Sequence, residues 1–224
     1  MTDTRRWQVL VAVTLLAVLA LCFTPRIAQW PEYHHFADQR TFLGIPHFMD
    51  AVSNIPFLLV AALGFVALRR QSKAGEFKDR REMIPYLSFF IAVLLTAFGS
   101  SYYHLLPNNA RLAWDRIPMT MVVMSLVSII LMEKTNPKIG ARSLAPLLIL
   151  GVGSVLYWIW TESLGQGDLR PYGFVLFYPA VLIPLVFLLF PKPFPVASEL
   201  FPLVVCYGLA KVFEAKDVAV YEMT

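Results

Sequence analysis

Charged side chains are scarce in this 224-residue chain: Asp, Glu, Lys and Arg make up 15% of it, whereas soluble domains contain about 25%. Hydrophobic residues make up 58%, and the mean hydropathy is +0.61. This composition argues against an ordinary soluble domain. The net charge of +4 does not indicate nucleic-acid binding, because the basic residues alternate along the chain instead of forming one patch.

Cysteine and histidine are also rare. The two cysteines, Cys22 and Cys206, both lie in apolar segments, which argues against a disulfide framework and favours small packing residues. The four histidines are His34, His35, His47 and His104. The first three lie in one long connection, where we expect the adjacent pair to be solvated.

What the chain does contain is apolar runs of the length that crosses a hydrocarbon core. Seven can be marked, at about residues 7–24, 51–68, 84–105, 112–132, 143–161, 171–190 and 198–221. A soluble core would not need so many uninterrupted runs. We therefore expect an all-α fold, a polytopic bundle of seven transmembrane helices forming a single membrane domain over residues 1–224. The first run lacks a small-x-small cleavage site and is expected to be a retained signal-anchor helix.

The basic residues predict the orientation of this bundle. Twelve of the nineteen precede the first run or follow the second, fourth and sixth runs: Arg5, Arg6, Arg69, Arg70, Lys73, Lys78, Arg80, Arg81, Lys134, Lys138, Arg142 and Lys192. Basic loops remain on the cytoplasmic side. The N-terminus is therefore predicted to be cytoplasmic and the C-terminus non-cytoplasmic, in the inner membrane if the cell is bacterial.

Polar residues gather at the non-cytoplasmic ends of the predicted helices. They are Ser53 and Asn54 in the second run, Ser100 and His104 in the third, Asp115 in the fourth, and Glu214 and Asp217 in the seventh. Ser100 and His104 are four residues apart and share a helix face. The short connection after His104 makes the next helix an antiparallel neighbour. A hydroxyl, an imidazole and a carboxylate are thus expected to meet.

Each of these residues also has a plain structural explanation. A histidine at the end of a span suits the headgroup region, and Asp115 with Arg116 suits an interfacial ion pair. Ser53 and Asn54 suit a helix cap. All of these explanations would have to hold at one membrane depth, and ionisable residues inside a membrane are usually functional. A common site is therefore the favoured interpretation.

The spacing of these residues resembles the alkaline ceramidase family of membrane amidases. The family pattern G-S-x-x-x-H, followed after eleven residues by D-x-x-P-M, reads here as Gly99, Ser100, His104, Asp115, Pro118 and Met119. The stretch FMDAVSNIPFLL resembles the family's S-N motif, and YGLAKVFEAKD resembles its sixth helix. The similarity covers about residues 30–221, with the first run as an added N-terminal helix.

The resemblance implies a zinc-dependent hydrolase that cleaves the N-acyl amide of ceramide-type lipids. Carried over, His104 would be a zinc ligand, Asp115 would orient or deprotonate the metal-bound water, and Ser100 would hold the site or the oxyanion. Ser53 would belong to the same catalytic group. Zinc lowers the pKa of its bound water to about 7 and polarises a carbonyl. The implied partner is a membrane lipid, and no nucleic acid.

The chain departs from the family at the metal ligands. The family holds zinc with three histidines, two of them in an H-x-x-x-H motif on a final helix, and that motif is missing here. We favour a truncated or frameshifted chain over a metal-free relative or over replacement by His34, His35 or His47. A possible calcium site is similarly altered, because His47 stands where the family has an acid. Its remaining candidate ligands are Glu32, Asp38 and Asp50.

Two other classes of function are weighed against the hydrolase. One is a non-catalytic membrane protein on the same scaffold, receptor-like or lipid-binding. The other is a small transporter, which would be expected to carry polar residues at mid-membrane and two related halves. The sequence shows neither of these transporter features, so the non-catalytic protein is the main alternative.

Overall fold

A computed structural model of the chain describes residues 1–192, 205–206, 208–210, 212–213 and 216–221. Over these residues the chain is helical, and its one strand-like feature is an isolated bridge between Phe42 and Ile45. The helices are α1 Asp3–Phe23, α2 Phe48–Val52, α3 Ile55–Lys73, α4 Arg80–Leu105, α5 Asn109–Lys134, α6 Pro137–Ser163, α7 Arg170–Phe177, α8 Pro179–Leu189 and α9 Asp217–Tyr221.

Within the described ranges, six helical segments are long and apolar enough to cross a membrane, as expected for a multi-pass integral membrane protein. They are Asp3–Phe23, Phe48–Lys73, Arg80–Leu105, Asn109–Lys134, Pro137–Ser163 and Arg170–Leu189. The all-α prediction is confirmed. The seventh predicted run, 198–221, lies partly outside the described residues, and Glu214 is among the residues outside them. The seven-span count and the cytoplasmic N-terminus remain predictions.

Several helices extend beyond the apolar runs, because polar residues in the connections cap them. Asp79, Asn108 and Asn136 precede α4, α5 and α6, and each side chain accepts a hydrogen bond of 2.9 Å from a backbone N–H in the first turn. Such a cap satisfies a donor that the helix itself leaves free. Hydropathy marks the apolar run, whereas the cap decides where the helix begins.

Two of the six segments are interrupted. The second breaks at Ser53 and Asn54, between α2 and α3, and the sixth breaks at Tyr178, between α7 and α8. A proline lies at the start of the helix that follows each break, Pro56 in α3 and Pro179 in α8. Proline fits the first turn of a helix because it lacks only an N–H that has no partner there.

Three connections gather at one end of the bundle. They are residues 24–47, 105–109 and 163–170, and we call this the histidine end because all four histidines lie in or beside them. Arg170 Nη1 donates to the Thr24 carbonyl at 2.7 Å, and the Leu169 N–H donates to the Ile27 carbonyl at 2.8 Å. These bonds join connections that are about 140 residues apart in sequence.

Helix α5 is the centre of the bundle. Over its most apolar stretch 56% of the residues are buried, whereas the figure for α1 is 6%. On one side α5 packs against α4, and on the other against α6, where Ser128 Oγ donates to the Gly140 carbonyl at 2.8 Å. At the histidine end Tyr103, Leu112 and Trp158 form a buried cluster between these three helices. The site residues on α4 and α5 are therefore carried by the best-packed pair.

Candidate functional site

The register of α4 against α5 is set by a glycine. A Cβ at Gly99 would overlap the backbone carbonyl of Trp114 and would lie 3.4 Å from Cγ of Pro118. Ser100 follows Gly99 and Asp115 follows Trp114, so the serine and the aspartate belong to the same level of the bundle. Both are buried, with 8% and 9% of their surfaces exposed. A buried carboxylate inside an apolar bundle is costly unless it is compensated.

His104 ends α4 one turn beyond Ser100 and is half-buried. Its ring packs against Phe36 from the long connection, at 4.6 Å between centroids, and against Tyr103 at 5.1 Å. The connection therefore packs against the imidazole ring of His104. The expected meeting of His104 with Asp115 and Ser53 in one pocket is not decided by these contacts and remains a prediction.

The adjacent residues Ser53 and Asn54 differ in exposure. Ser53 is exposed, and its Oγ donates to the Asp50 carbonyl at 2.8 Å. Asn54 is 5% exposed, and its Nδ2 donates to the carbonyls of Asp50 at 3.0 Å and Ala51 at 3.4 Å. Both side chains thus bond to carbonyls at the C-terminus of α2. They do not form the N-cap that the sequence suggested, because Asn54 makes no side-chain cap bond to α3. Of the two, Asn54 is the one that reaches the interior.

Asp38 organises the long connection. It is buried, and its carboxylate accepts hydrogen bonds from Arg40 Nε at 2.7 Å and from the Met49 N–H at 2.9 Å. Burial raises the pKa of this carboxyl, but the hydrogen bonds from Arg40 and Met49 outweigh it, so the pKa lies below its usual value. The Asp38 carbonyl also bonds to His47 Nδ1 at 2.7 Å. Asp38 therefore stabilises the conformation of the connection.

The other calcium candidates do not join Asp38 in a cluster. Glu32 is exposed on a short 3-10 helix, Pro31–His34, and Asp50 is half-buried at α2. Over the part of the chain that the structure describes, no group of three His, Cys, Asp or Glu side chains is arranged to hold a metal ion. This applies both to the calcium candidates and to zinc at His104.

His34 is held in place by side chains of α4 and α5, contrary to the expectation that it is a solvated loop residue. Its Nδ1 bonds to the Tyr103 hydroxyl at 2.9 Å and its Nε2 to Asn109 Oδ1 at 2.8 Å. Asn109 Nδ2 in turn donates to Glu162 Oε1 at 3.0 Å. Because a carboxylate only accepts, the amide oxygen of Asn109 must face His34, so Nε2 of His34 donates to it. His35 is exposed, as expected.

This hydrogen-bonded chain lines a cavity at the histidine end. The cavity measures about 520 Å³, and its walls include Gln29, His34, His35, Asn109 and Glu162. Sequence reasoning missed Gln29, Asn109 and Glu162, because nothing local distinguishes an amide or acid at a helix end from an ordinary cap. It also missed the burial of Arg116. The position of this arginine inside an apolar run could have indicated that its side chain faces the interior of the bundle.

Comparison of the chain with family models, with curated proteins and with solved structures gives no match. The likeness to alkaline ceramidases therefore rests on the motif residues themselves.

Proposed function

We propose that the α4–α5 pair carries the site of a ceramidase-like membrane hydrolase that acts on the N-acyl amide of ceramide-type lipids. In this proposal Asp115 takes the proton from an attacking water and the Ser100 hydroxyl donates to the amide oxygen. General-base and oxyanion groups of this kind each accelerate hydrolysis by orders of magnitude. A lipid substrate would reach the site from the bilayer.

The proposal rests on the similar positions of Ser100 and Asp115 along the axis of the bundle. The contact between Gly99 and the Trp114 carbonyl brings the two helices together beside these residues. Both side chains are buried, although they are polar and lie in a chain with 58% hydrophobic residues. Small residues and hydroxyls are common where membrane helices pack, but a buried carboxylate beside them is costly and is usually functional.

Zinc does not fit the described residues as they stand. Catalytic zinc usually takes three protein ligands, and the resemblance supplies His104 alone. His34 has both ring nitrogens engaged, and Nδ1 of His47 bonds to the Asp38 carbonyl. We therefore expect the 224-residue chain to bind zinc weakly and to hydrolyse ceramides poorly or not at all.

The test compares the chain with a version extended after Thr224 by a helix bearing H-x-x-x-H from a complete relative. Zinc content and release of fatty acid from a ceramide are measured on the same purified samples. The extended chain should gain both, and His104→Ala in it should abolish both. His35→Ala is the matched control, because that histidine is exposed at the same end of the bundle.

Two results would count against the proposal. An extended, folded chain that binds zinc but leaves ceramide intact would refute the hydrolase site. Stoichiometric zinc and turnover in the unmodified chain would refute the ligand count, and would direct attention to the loop histidines.

A non-catalytic lipid-binding protein is the second candidate. Within the described ranges no three metal-ligating side chains converge, and a scaffold without a metal would suit a binding role. Retention of an intact ceramide by the extended chain, without turnover and without zinc, would favour this alternative.

A further inference from the structure

Arg116 is a cation enclosed inside the bundle. It lies about two turns into α5, and 4% of its surface is exposed. The Cζ atom lies 4.4 Å from the ring centroid of Trp158, 4.7 Å from that of Tyr172 and 5.5 Å from that of Tyr33. Nη2 donates to Gln29 Oε1 at 2.6 Å. Three aromatic rings and one neutral amide therefore surround a full positive charge.

Several N–H groups in this enclosure lack an acceptor. Over the described part of the chain, Nε and Nη1 of Arg116 and Nε1 of Trp158 are buried without a hydrogen-bond partner. Aromatic faces attract a cation but do not accept the in-plane guanidinium hydrogen bonds as an oxygen would. A buried donor without a partner costs about 1–3 kcal/mol, and a charged group costs more.

Among the described residues, the charge of Arg116 is also not balanced by an ion pair. The ion pairs found there are Arg6–Asp3, Arg40–Asp38 and Arg170–Asp168. The neighbouring Asp115 does not accept from Nε or Nη1, which are without partners in the described structure. An acceptor that carries negative charge would satisfy both the donors and the guanidinium.

The cavity at the histidine end is separated from Arg116 by Gln29. Gln29 lines the cavity and also bonds to Arg116, so it lies between the two. Gln29 carries no charge and is held otherwise by a bond of 3.2 Å from its Nε2 to the Trp30 carbonyl. Glu162, the acid in the cavity wall, has Oε1 engaged by Asn109. Displacement of the neutral Gln29 side chain would connect the cavity with Arg116.

We propose that Arg116, together with Trp158 Nε1, binds an oxyanion, either a carboxylate or a phosphate group, that enters through this cavity beside Gln29. The anion accepts from the guanidinium and indole N–H groups, and the surrounding rings hold the guanidinium in place. This site requires neither His104 nor a metal, so it stands independently of the proposed hydrolase. The oxyanion belongs either to an acidic lipid or to a free anion.

The test uses the full purified chain in phosphatidylcholine nanodiscs. Three probes are compared: palmitate added to the bilayer, phosphatidylglycerol added to the bilayer, and millimolar inorganic phosphate in the buffer. Native mass spectrometry measures retained lipid, and equilibrium dialysis with labelled phosphate measures the free anion. We expect one equivalent of at least one probe per chain, and the probe that binds identifies the source of the oxyanion.

Variants decide whether Arg116 is responsible. Arg116→Gln should weaken binding about tenfold or more, the loss of one or more charge-assisted hydrogen bonds. Arg116→Lys keeps the charge but loses the planar fork, and should weaken binding by a similar factor. Arg111→Gln is the matched control: it removes the same charge from the same end of α5, where the guanidinium lies 4.3 Å from the Tyr102 ring and is half-buried. It should stay within about twofold of the unmodified chain.

Three outcomes would overturn the proposal. If none of the three probes is retained at one equivalent per chain, the N–H groups of Arg116 and Trp158 do not bind an oxyanion. If Arg111→Gln and Arg116→Gln weaken binding of the probe equally, the anion is attracted by the general positive charge of the surface and not by Arg116. Unchanged affinity in Arg116→Lys would show that the guanidinium geometry is not needed, and this variant decides the question if Arg116→Gln does not fold.

Discussion

Replacing Gly99 by alanine tests the helix register on which the candidate site depends. The added methyl group would overlap the Trp114 carbonyl. Because that oxygen belongs to the backbone of α5, no side-chain rotation can relieve the overlap, and the two helices must separate. Overpacking of this kind costs about 1–3 kcal/mol. The better helix propensity of alanine returns about 0.5–1 kcal/mol.

The expected net loss is therefore up to about 2.5 kcal/mol, which corresponds to a melting temperature lower by up to roughly 10 °C for a chain of this size. Gly153→Ala is the matched control, because Gly153 lies in α6 and a Cβ there meets nothing within 4 Å. That variant should be neutral or slightly more stable. Thermal unfolding of both variants in detergent, followed by size-exclusion chromatography, makes the comparison. Equal melting temperatures for the two variants would refute the close α4–α5 contact and the shared level of Ser100 and Asp115.

Three further predictions concern the orientation, the site and the connections. Reporter fusions after Arg81 and after Thr224 should report opposite sides of the membrane, because basic loops stay cytoplasmic; the same side for both would mean that a span is miscounted. Cysteines introduced in place of His104 and Asp115, in a background without the native cysteines, should be joined by a cross-linker of about 10 Å, one helix-to-helix spacing; failure with an intact fold would separate the two residues. The hydrogen bond from Arg170 lowers the pKa of buried Asp168 below its usual value, so its stabilising effect is full above about pH 4 and declines as pH falls through the lowered pKa. Unfolding measured from pH 6 to pH 3 should show this loss in the unmodified chain and a smaller dependence in Asp168→Asn, and equal slopes would contradict it.

The local features of the chain were predictable from the sequence. Apolar runs located six helical segments, since a helix in a membrane needs about 20 apolar residues wherever it packs. The cap residues that extend these helices, such as Asn108 and Asn136, are also readable, because a cap bonds to an N–H two or three residues away. Gly99 belongs to the G-S-x-x-x-H pattern of the sequence, whereas its close approach to the Trp114 carbonyl is a feature of the packing.

The environment of the polar side chains could not be predicted in the same way. Ser53 and Asn54 are adjacent, yet Ser53 is exposed and Asn54 is buried, because the helical segment is interrupted between α2 and α3 at these two residues. His34 has the same local sequence signal as His35, but it bonds to Asn109, 75 residues away. These outcomes depend on which helix ends meet, and hydropathy does not contain that information.

The amino-acid sequence is therefore sufficient to predict a bundle of apolar helices and to propose that its polar groups lie near one end. The packing of the helices sets the burial of each group: Ser100 and Asp115 are both buried, and Arg116 lies among three aromatic rings. The physical reason is that helix formation is governed by neighbours within one or two turns. The burial of a polar side chain is governed instead by acceptors and packing partners brought from distant segments of the chain.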